Sequence, residues 1–279
     1  METDKVMSAV QDDYQLGSDS EELDRLTFQG RILEPATRAL LREAGIGPGM
    51  RVLDLGSGAG DVSFLAAELV GPDGAVVGIE QSADAIALAE FRARQKLVSN
   101  VRFVQGDMHE PATGGPFDAI VGRAILMYAP DPAAVLRTQA ELLRPGGVVA
   151  PVEMDLTASG SRPATPLASR SVFWLTEAFK QAKVATGLGP ALVGVLREAG
   201  LRPLGTMAVH RQFVPGDPDG AALFAGIVKT MLPLIEKSGA ATAEEVGLET
   251  FEARLAEELT AADAVLSYPQ LFCAWGTKE

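Results

Sequence analysis

The sequence predicts a doubly wound α/β fold with a mainly parallel sheet, and three observations carry the prediction. From residue 51 to about residue 155, short apolar strand patterns alternate with helical ones. A glycine-rich run, Gly56-Ser57-Gly58-Ala59-Gly60, stands between the first of these strands and the helix that follows. The chain has 279 residues and 47% apolar content, enough to bury a large core without disulfides or a structural metal.

The elements are read in order. Ser18 and Glu21 have the spacing of a capping box. Leu23, Leu26 and Leu33 then mark a short amphipathic helix. A second helix is expected to start near Pro35, since proline suits a first helical turn, and to stop near Gly45. Strands are expected at 51–55, 75–80, 101–105, 117–121 and 148–153, with helices after the glycine run and at 83–96 and 132–143. Beyond Asp155 the alternation pauses. Val172, Phe173, Trp174 and Phe179 carry a helical pattern, and residues 191–199 form another helix. Leu204–Val214 reads as a strand, and residues 218–262 as helices broken by Pro233 and Gly239. Ala264–Trp275 reads as a final strand, with Pro269 at a bulge or edge. Two helical insertions thus interrupt the sheet, and such insertions commonly sit where open α/β sheets bind ligands.

Composition narrows the function. Lys and Arg total 24 against 37 Asp and Glu, a net charge of −13. That balance argues against a nucleic-acid partner, which needs clustered cations. Cys273 is the one cysteine, so neither a disulfide framework nor a cysteine zinc site is available. Met1–Gly17 has no basic and apolar leader pattern. Ala221–Ile235 contains Lys229 and Pro233 and is too short to span a bilayer. The expectation is a cytoplasmic protein.

The glycine run carries the chemistry. Glycine lets the backbone turn tightly and approach a ligand, and the helix start offers free N–H groups and a positive dipole end. Asp54 and Asp61 flank the run and suit a cationic or hydroxyl-bearing ligand. The spacing departs from the dinucleotide fingerprint: the glycines fall at 56, 58 and 60, with Asp61 where the third glycine belongs. No lysine follows, so the run is not a nucleotide P-loop either.

The segment Val52-Leu53-Asp54-Leu55-Gly56-Ser57-Gly58-Ala59-Gly60-Asp61 resembles the first motif of the class I S-adenosylmethionine-dependent methyltransferases. The likeness continues in order through Val76-Val77-Gly78-Ile79-Glu80, Val104-Gln105-Gly106-Asp107-Met108, Phe117-Asp118-Ala119-Ile120-Val121 and Leu143-Arg144-Pro145-Gly146-Gly147. It covers roughly residues 35–155. The resemblance implies a Rossmann-like sheet of seven strands in the order 3-2-1-4-5-7-6, the last antiparallel, with helical cap insertions. It implies S-adenosylmethionine as cofactor. Glu80 would hold both ribose hydroxyls, Asp107 the adenine amino group and the Met108 backbone the adenine ring. Asp54, Gly56, Ser57, Gly58 and Gly60 would cradle the amino-acid end, and Gln81, Arg123 and Gln29 complete the candidate cofactor set.

For catalysis the candidates are His109, two residues after Asp107; Glu153, at the end of the fifth strand near Asp155; and Tyr14, in a segment like the lid of bacterial small-molecule members. Arg123 and Tyr128 follow the fourth strand, where relatives keep the acceptor. No metal is expected. His210 reads as a packed strand residue, and Trp174 with Phe173 and Phe179 as core rather than pocket. The division expected is a lid at 1–34, a cofactor-binding core at 35–155, a helical cap at 156–190, and the rest of the core sheet at 191–279 with an insertion at 218–262. The expected activity is methyl transfer to O, N or C of a small organic acceptor, in the style of bacterial specialised metabolism. Alternatives are a quinone-biosynthesis C-methyltransferase, or a cofactor-binding enzyme of the same fold that rearranges or cyclises its substrate. The expected partner is the small-molecule acceptor, with neither nucleic acid nor membrane, and a homodimer is the candidate assembly.

Overall fold

The computed structural model describes residues 20–278, with side chains from Phe28 onward. The chain divides into two compact units. One comprises residues up to 153 together with 188–208 and the segment from 271; the other comprises 154–187 and 209–270.

The first unit holds a seven-stranded sheet. Its strands are β1 (Arg51–Leu55), β2 (Ala75–Glu80), β3 (Val101–Gln105), β4 (Phe117–Arg123), β5 (Leu143–Asp155), β7 (Arg202–Val209) and β10 (Gln270–Thr277), in the order β3-β2-β1-β4-β5-β10-β7. Counting only strands of this sheet, that is 3-2-1-4-5-7-6, as expected. β1 to β5 pair in parallel. β10 runs antiparallel to β7: the Thr206 hydroxyl donates to the Cys273 carbonyl at 3.0 Å, while Gly276 abuts the Arg202 backbone. β1 and β4 are buried almost throughout, because helices cover both faces of a parallel sheet. Among those helices, α2 (Asp61–Val70) lies on β1 and β2, and α3 (Ala83–Gln95) on β2 and β3. Ser82 caps α3 through its side chain, and Asp131 caps α4 (Pro132–Ala140) in the same way.

The first helix departs from the sequence reading. Instead of two helices meeting at Pro35, one helix, α1 (Ser20–Glu43), runs through the proline. An internal proline removes one backbone donor and costs about 3 kcal/mol. Here Ile32 and Leu33 before the proline and Ala36, Leu40 and Leu41 after it are all buried, so one apolar stripe holds both halves together. The Thr37 hydroxyl also donates to the Leu33 carbonyl at 2.9 Å.

The second unit contains α5 (Pro166–Gln181), α7 (Pro218–Ser238), the short α8 (Ala243–Val246) and α9 (Leu248–Ala261). It also has a small antiparallel sheet of β6 (Gly160–Arg162), β9 (Val265–Ser267) and β8 (Gln212–Phe213), in the order β6-β9-β8. Helix α6 (Leu192–Glu198) belongs to the first unit. Two late strands expected to be continuous are each split between the two sheets. Leu204–Val214 divides at His210-Arg211 into β7 and β8, and Ala264–Trp275 at Tyr268-Pro269 into β9 and β10. Proline supplies no ladder donor, which suits the second break. Pro233 does not break α7 either; the helix ends at Gly239, which takes a left-handed conformation. At 21 residues α7 is also longer than the apolar stretch read from sequence, and is long and apolar enough by length and composition to cross a bilayer. Its Leu223, Phe224, Val228 and Ile235 are buried, and it packs against α5 and α9. Trp174 of α5 stacks obliquely on Phe251 of α9 at 6.3 Å, a core contact as expected, whereas Phe173 is 54% exposed.

Candidate functional site

The site is built at the carboxyl ends of β1, β2 and β3. After β1 the chain turns through Gly56, Gly58 and Gly60 with φ of 60°, 51° and 91°, a region that side chains adopt only under strain. Gly56 is needed twice over, since a Cβ there would stand 2.4 Å from the Ile125 side chain. Over Gly58 nothing stands within 4 Å, so the loop is open on that side. Gly60 begins α2 with no side-chain cap. The first-turn N–H groups are therefore available to an anionic group.

β2 fixes the loop from beside it. The Ser57 N–H donates to the Ile79 carbonyl at 2.9 Å, and Ser57 packs on Gly78, where a Cβ would lie 2.8 Å away. Glu80 ends the strand with both carboxylate oxygens engaged by backbone. Oε2 accepts from Gly58 N–H at 3.0 Å, and Oε1 from Gln81 and Ser82 N–H at 2.8 and 3.0 Å. Oε2, with one such bond, keeps further acceptor capacity for a ligand. Gly106 N–H donates to the Glu80 carbonyl at 3.0 Å, which brings Asp107 and buried Met108 alongside. The Asp107 Oδ1 accepts from the His109 backbone N–H at 2.9 Å and meets its Nδ1 at 2.7 Å. Partial burial pushes this carboxyl up, but its contacts with His109 together with the Gln81 side chain outweigh that and hold it below the usual range.

Two buried acids lie deeper. Asp54 accepts from the Ser63 hydroxyl at 2.6 Å through Oδ2, while Oδ1 has no partner. Burial raises its pKa to about 7, against the Ser63 hydrogen bond and the positive field of Arg123. Arg123 itself donates to the Thr37 hydroxyl at 2.8 Å, tying β4 to α1. Glu153 on β5 is fully buried; its Oε1 accepts from Ile125 and Leu126 N–H at 3.0 and 2.7 Å, and Oε2 has no partner. Burial lifts it to about 7 despite those backbone bonds.

A family profile described as a methyltransferase domain matches residues 46–182. The arsenite methyltransferase of Halobacterium salinarum is 37% identical over 116 residues, 41% of this chain and 30% of that protein. The nocamycin O-methyltransferase of Saccharothrix syringae is 37% identical over 117 residues, 42% of each chain. The chain thus matches less than half the length of these relatives. The fold is similar to a geranyl diphosphate methyltransferase solved with S-adenosylmethionine, at TM-score 0.55 and 17% identity, covering 95% of this chain and 93% of that one. These matches support a class I S-adenosylmethionine-dependent methyltransferase.

The residues present fit S-adenosylmethionine. That ligand has no phosphate, and the loop offers what an amino-acid end needs: uncapped helix N–H groups, an open backbone at Gly58, and the unpartnered Asp54 Oδ1 and Ser57 Oγ. Glu80 ends β2 and Asp107 follows the end of the adjacent β3, as a ribose and adenine require. Other residues named from sequence have contacts of their own. Asp61, expected beside Asp54 to meet the ligand, instead pairs with Arg92 at 2.7 Å. Asp155 caps a single 3-10 turn through Thr157. His210 meets the Tyr268 carbonyl at 2.9 Å within the second unit. Gln29 is half-buried beside Gly30, which packs on Asp61; Tyr14 lies outside the described residues.

Sequence reasoning missed three contributors to this site. Arg92, 5% exposed, donates to the Ala59 carbonyl at 2.6 Å and so grips the loop from α3. Its sequence signal was an arginine on the same helical face as buried Ala85 and Ala89. Gly78 was visible as a glycine inside an apolar strand, a mark of close backbone approach. Ile125 carried no signal, because only the fold brings it to Gly56.

Proposed function

We propose that this protein transfers the methyl group of S-adenosylmethionine to an O, N or C atom of a small organic acceptor, in bacterial specialised metabolism and in the cytoplasm. The observation that carries the reading is Glu80: a carboxylate pinned by three backbone N–H groups, one of them from the glycine loop, at the strand end beside Asp107. The specialised-metabolism assignment draws support from the likeness to the nocamycin O-methyltransferase.

The cofactor supplies an activated methyl on a sulfonium, already a good leaving group. The protein's work is then orientation and exclusion of water, worth up to about 7–11 kcal/mol. Glu80 receives the two ribose hydroxyls, and Asp107 receives the adenine amino group, with its Oδ1 also ordering His109. Gly56, Ser57, Gly58, Gly60 and Asp54 hold the amino-acid end, with Arg123, Gln81 and Gln29 around it. His109 is the candidate proton acceptor; its ring is oriented by Asp107 and is nearly half exposed, with a side-chain exposure of 44%.

Glu80→Ala is expected to weaken S-adenosylhomocysteine binding by roughly 1–3 kcal/mol, the scale for hydrogen bonds to a charged group. Calorimetric titration measures it, and unchanged affinity would remove the ribose assignment. Incubation of labelled cofactor with a bacterial extract tests the activity itself. Label appearing in a small molecule with S-adenosylhomocysteine released supports methyl transfer; cofactor binding with acceptor conversion but no label transferred would replace it with a non-methylating reaction.

A further inference from the structure

We propose that Glu153 is a positioning residue for the cofactor loop: through the turn after β4 it seats Ile125 in a slot between Gly56 and Gly122, and so sets where the loop backbone stands. This rests on the methyltransferase reading of the loop. The chain leaves β4 at Ala124, a non-glycine residue with φ of 53°. Such a residue persists only where its surroundings over-determine it. Two groups on β5 do so. The Val152 carbonyl accepts from Ala124 N–H at 2.8 Å, and the Glu153 Oε1 accepts from both Ile125 and Leu126 N–H.

The held residue is shaped to the loop. A Cβ on Gly56 would stand 2.4 Å from Ile125, and one on Gly122 would stand 3.0 Å from it and 2.9 Å from the Leu55 carbonyl. Gly56, just past the end of β1, and Gly122, on the neighbouring parallel strand β4, thus leave room for one side chain. An apolar residue at 153 would be cheaper to bury, because a carboxylate must be stripped of water. What an apolar residue cannot do is accept two N–H bonds from one turn. Fully buried and with Oε1 committed in this way, Glu153 acts through Ile125 rather than on the reacting atoms.

The test is calorimetry of the full chain with S-adenosylhomocysteine, alongside thermal melts and hydrogen exchange over residues 54–60. Glu153→Ala and Ile125→Ala are expected to weaken binding at least tenfold, with faster exchange in the loop. Glu153→Gln keeps an acceptor oxygen and is expected to restore affinity to within about threefold of wild type. If folded Glu153→Ala and Ile125→Ala bind like wild type, or Glu153→Gln loses as much as Glu153→Ala, the inference fails. Should Glu153→Ala not fold, Ile125→Ala decides alone: wild-type affinity and loop exchange in that variant overturn the inference. Wild-type protein that binds no S-adenosylhomocysteine overturns the methyltransferase reading, and this inference with it.

Discussion

Gly56→Ala is expected to destabilise the protein by about 2–5 kcal/mol, the sum of a left-handed residue at about 1–2 kcal/mol and overpacking at about 1–3 kcal/mol. Both causes are local and visible. The φ of 60° lies where a Cβ is disfavoured, and that Cβ would stand 2.4 Å from Ile125 with the Ile125 backbone pinned by Glu153. Gly58→Ala is the matched control, because its φ is 51° but nothing stands within 4 Å. It should pay the conformational cost alone. Denaturant midpoints of the two variants measure the difference, and equal losses would show that Ile125 does not rest on Gly56.

Glu153→Gln is expected to be more stable than wild type at pH 8, by up to about 3 kcal/mol, and to lose that advantage by pH 4. The sign follows from a carboxyl raised from 4.5 to about 7 by burial. Below pH 4.5 the folded and unfolded chains both carry the proton, and the group contributes no pH-dependent cost. Between 4.5 and 7 the unfolded chain releases its proton while the folded chain keeps it, so stability falls as pH rises. Above 7 both are ionised and the loss levels off. Glutamine stays neutral and keeps an acceptor for Ile125 and Leu126. Asp54, raised from 3.8 to about 7, adds a slope of the same sign in both proteins, so the difference between variant and wild type isolates Glu153. Unfolding curves at pH 4, 6 and 8 without cofactor make the comparison. A difference that does not change with pH would mean that Glu153 titrates normally.

The cofactor site was legible because its elements are contiguous in sequence. A strand, a glycine run and a helix start are neighbours along the chain, and each strand-end acid directly follows its own apolar strand. The ion pair of Asp61 was not legible, because the sequence does not reveal that Arg92, 31 residues away, meets its charge. Glu153 was expected near the pocket, yet its partners Ile125 and Leu126 come from another strand's exit. The helix boundaries at Pro35 and Pro233 were misread for a related reason. Proline's local cost is written in the sequence, whereas the apolar burial that offsets it belongs to the packed helix.

By itself the sequence determined the alternation of strands and helices and the chemistry of the loop, which depend on short-range periodicity and turn-forming residues, while the sheet order was what its motif resemblance implied. Only the tertiary structure decided that Leu204–Val214 and Ala264–Trp275 each divide between two sheets, that Arg92 grips the loop, and that Glu153 and Ile125 stand behind Gly56. These are contacts between residues distant along the chain. A buried carboxylate or a close-packed glycine acquires its role from what the fold places against it.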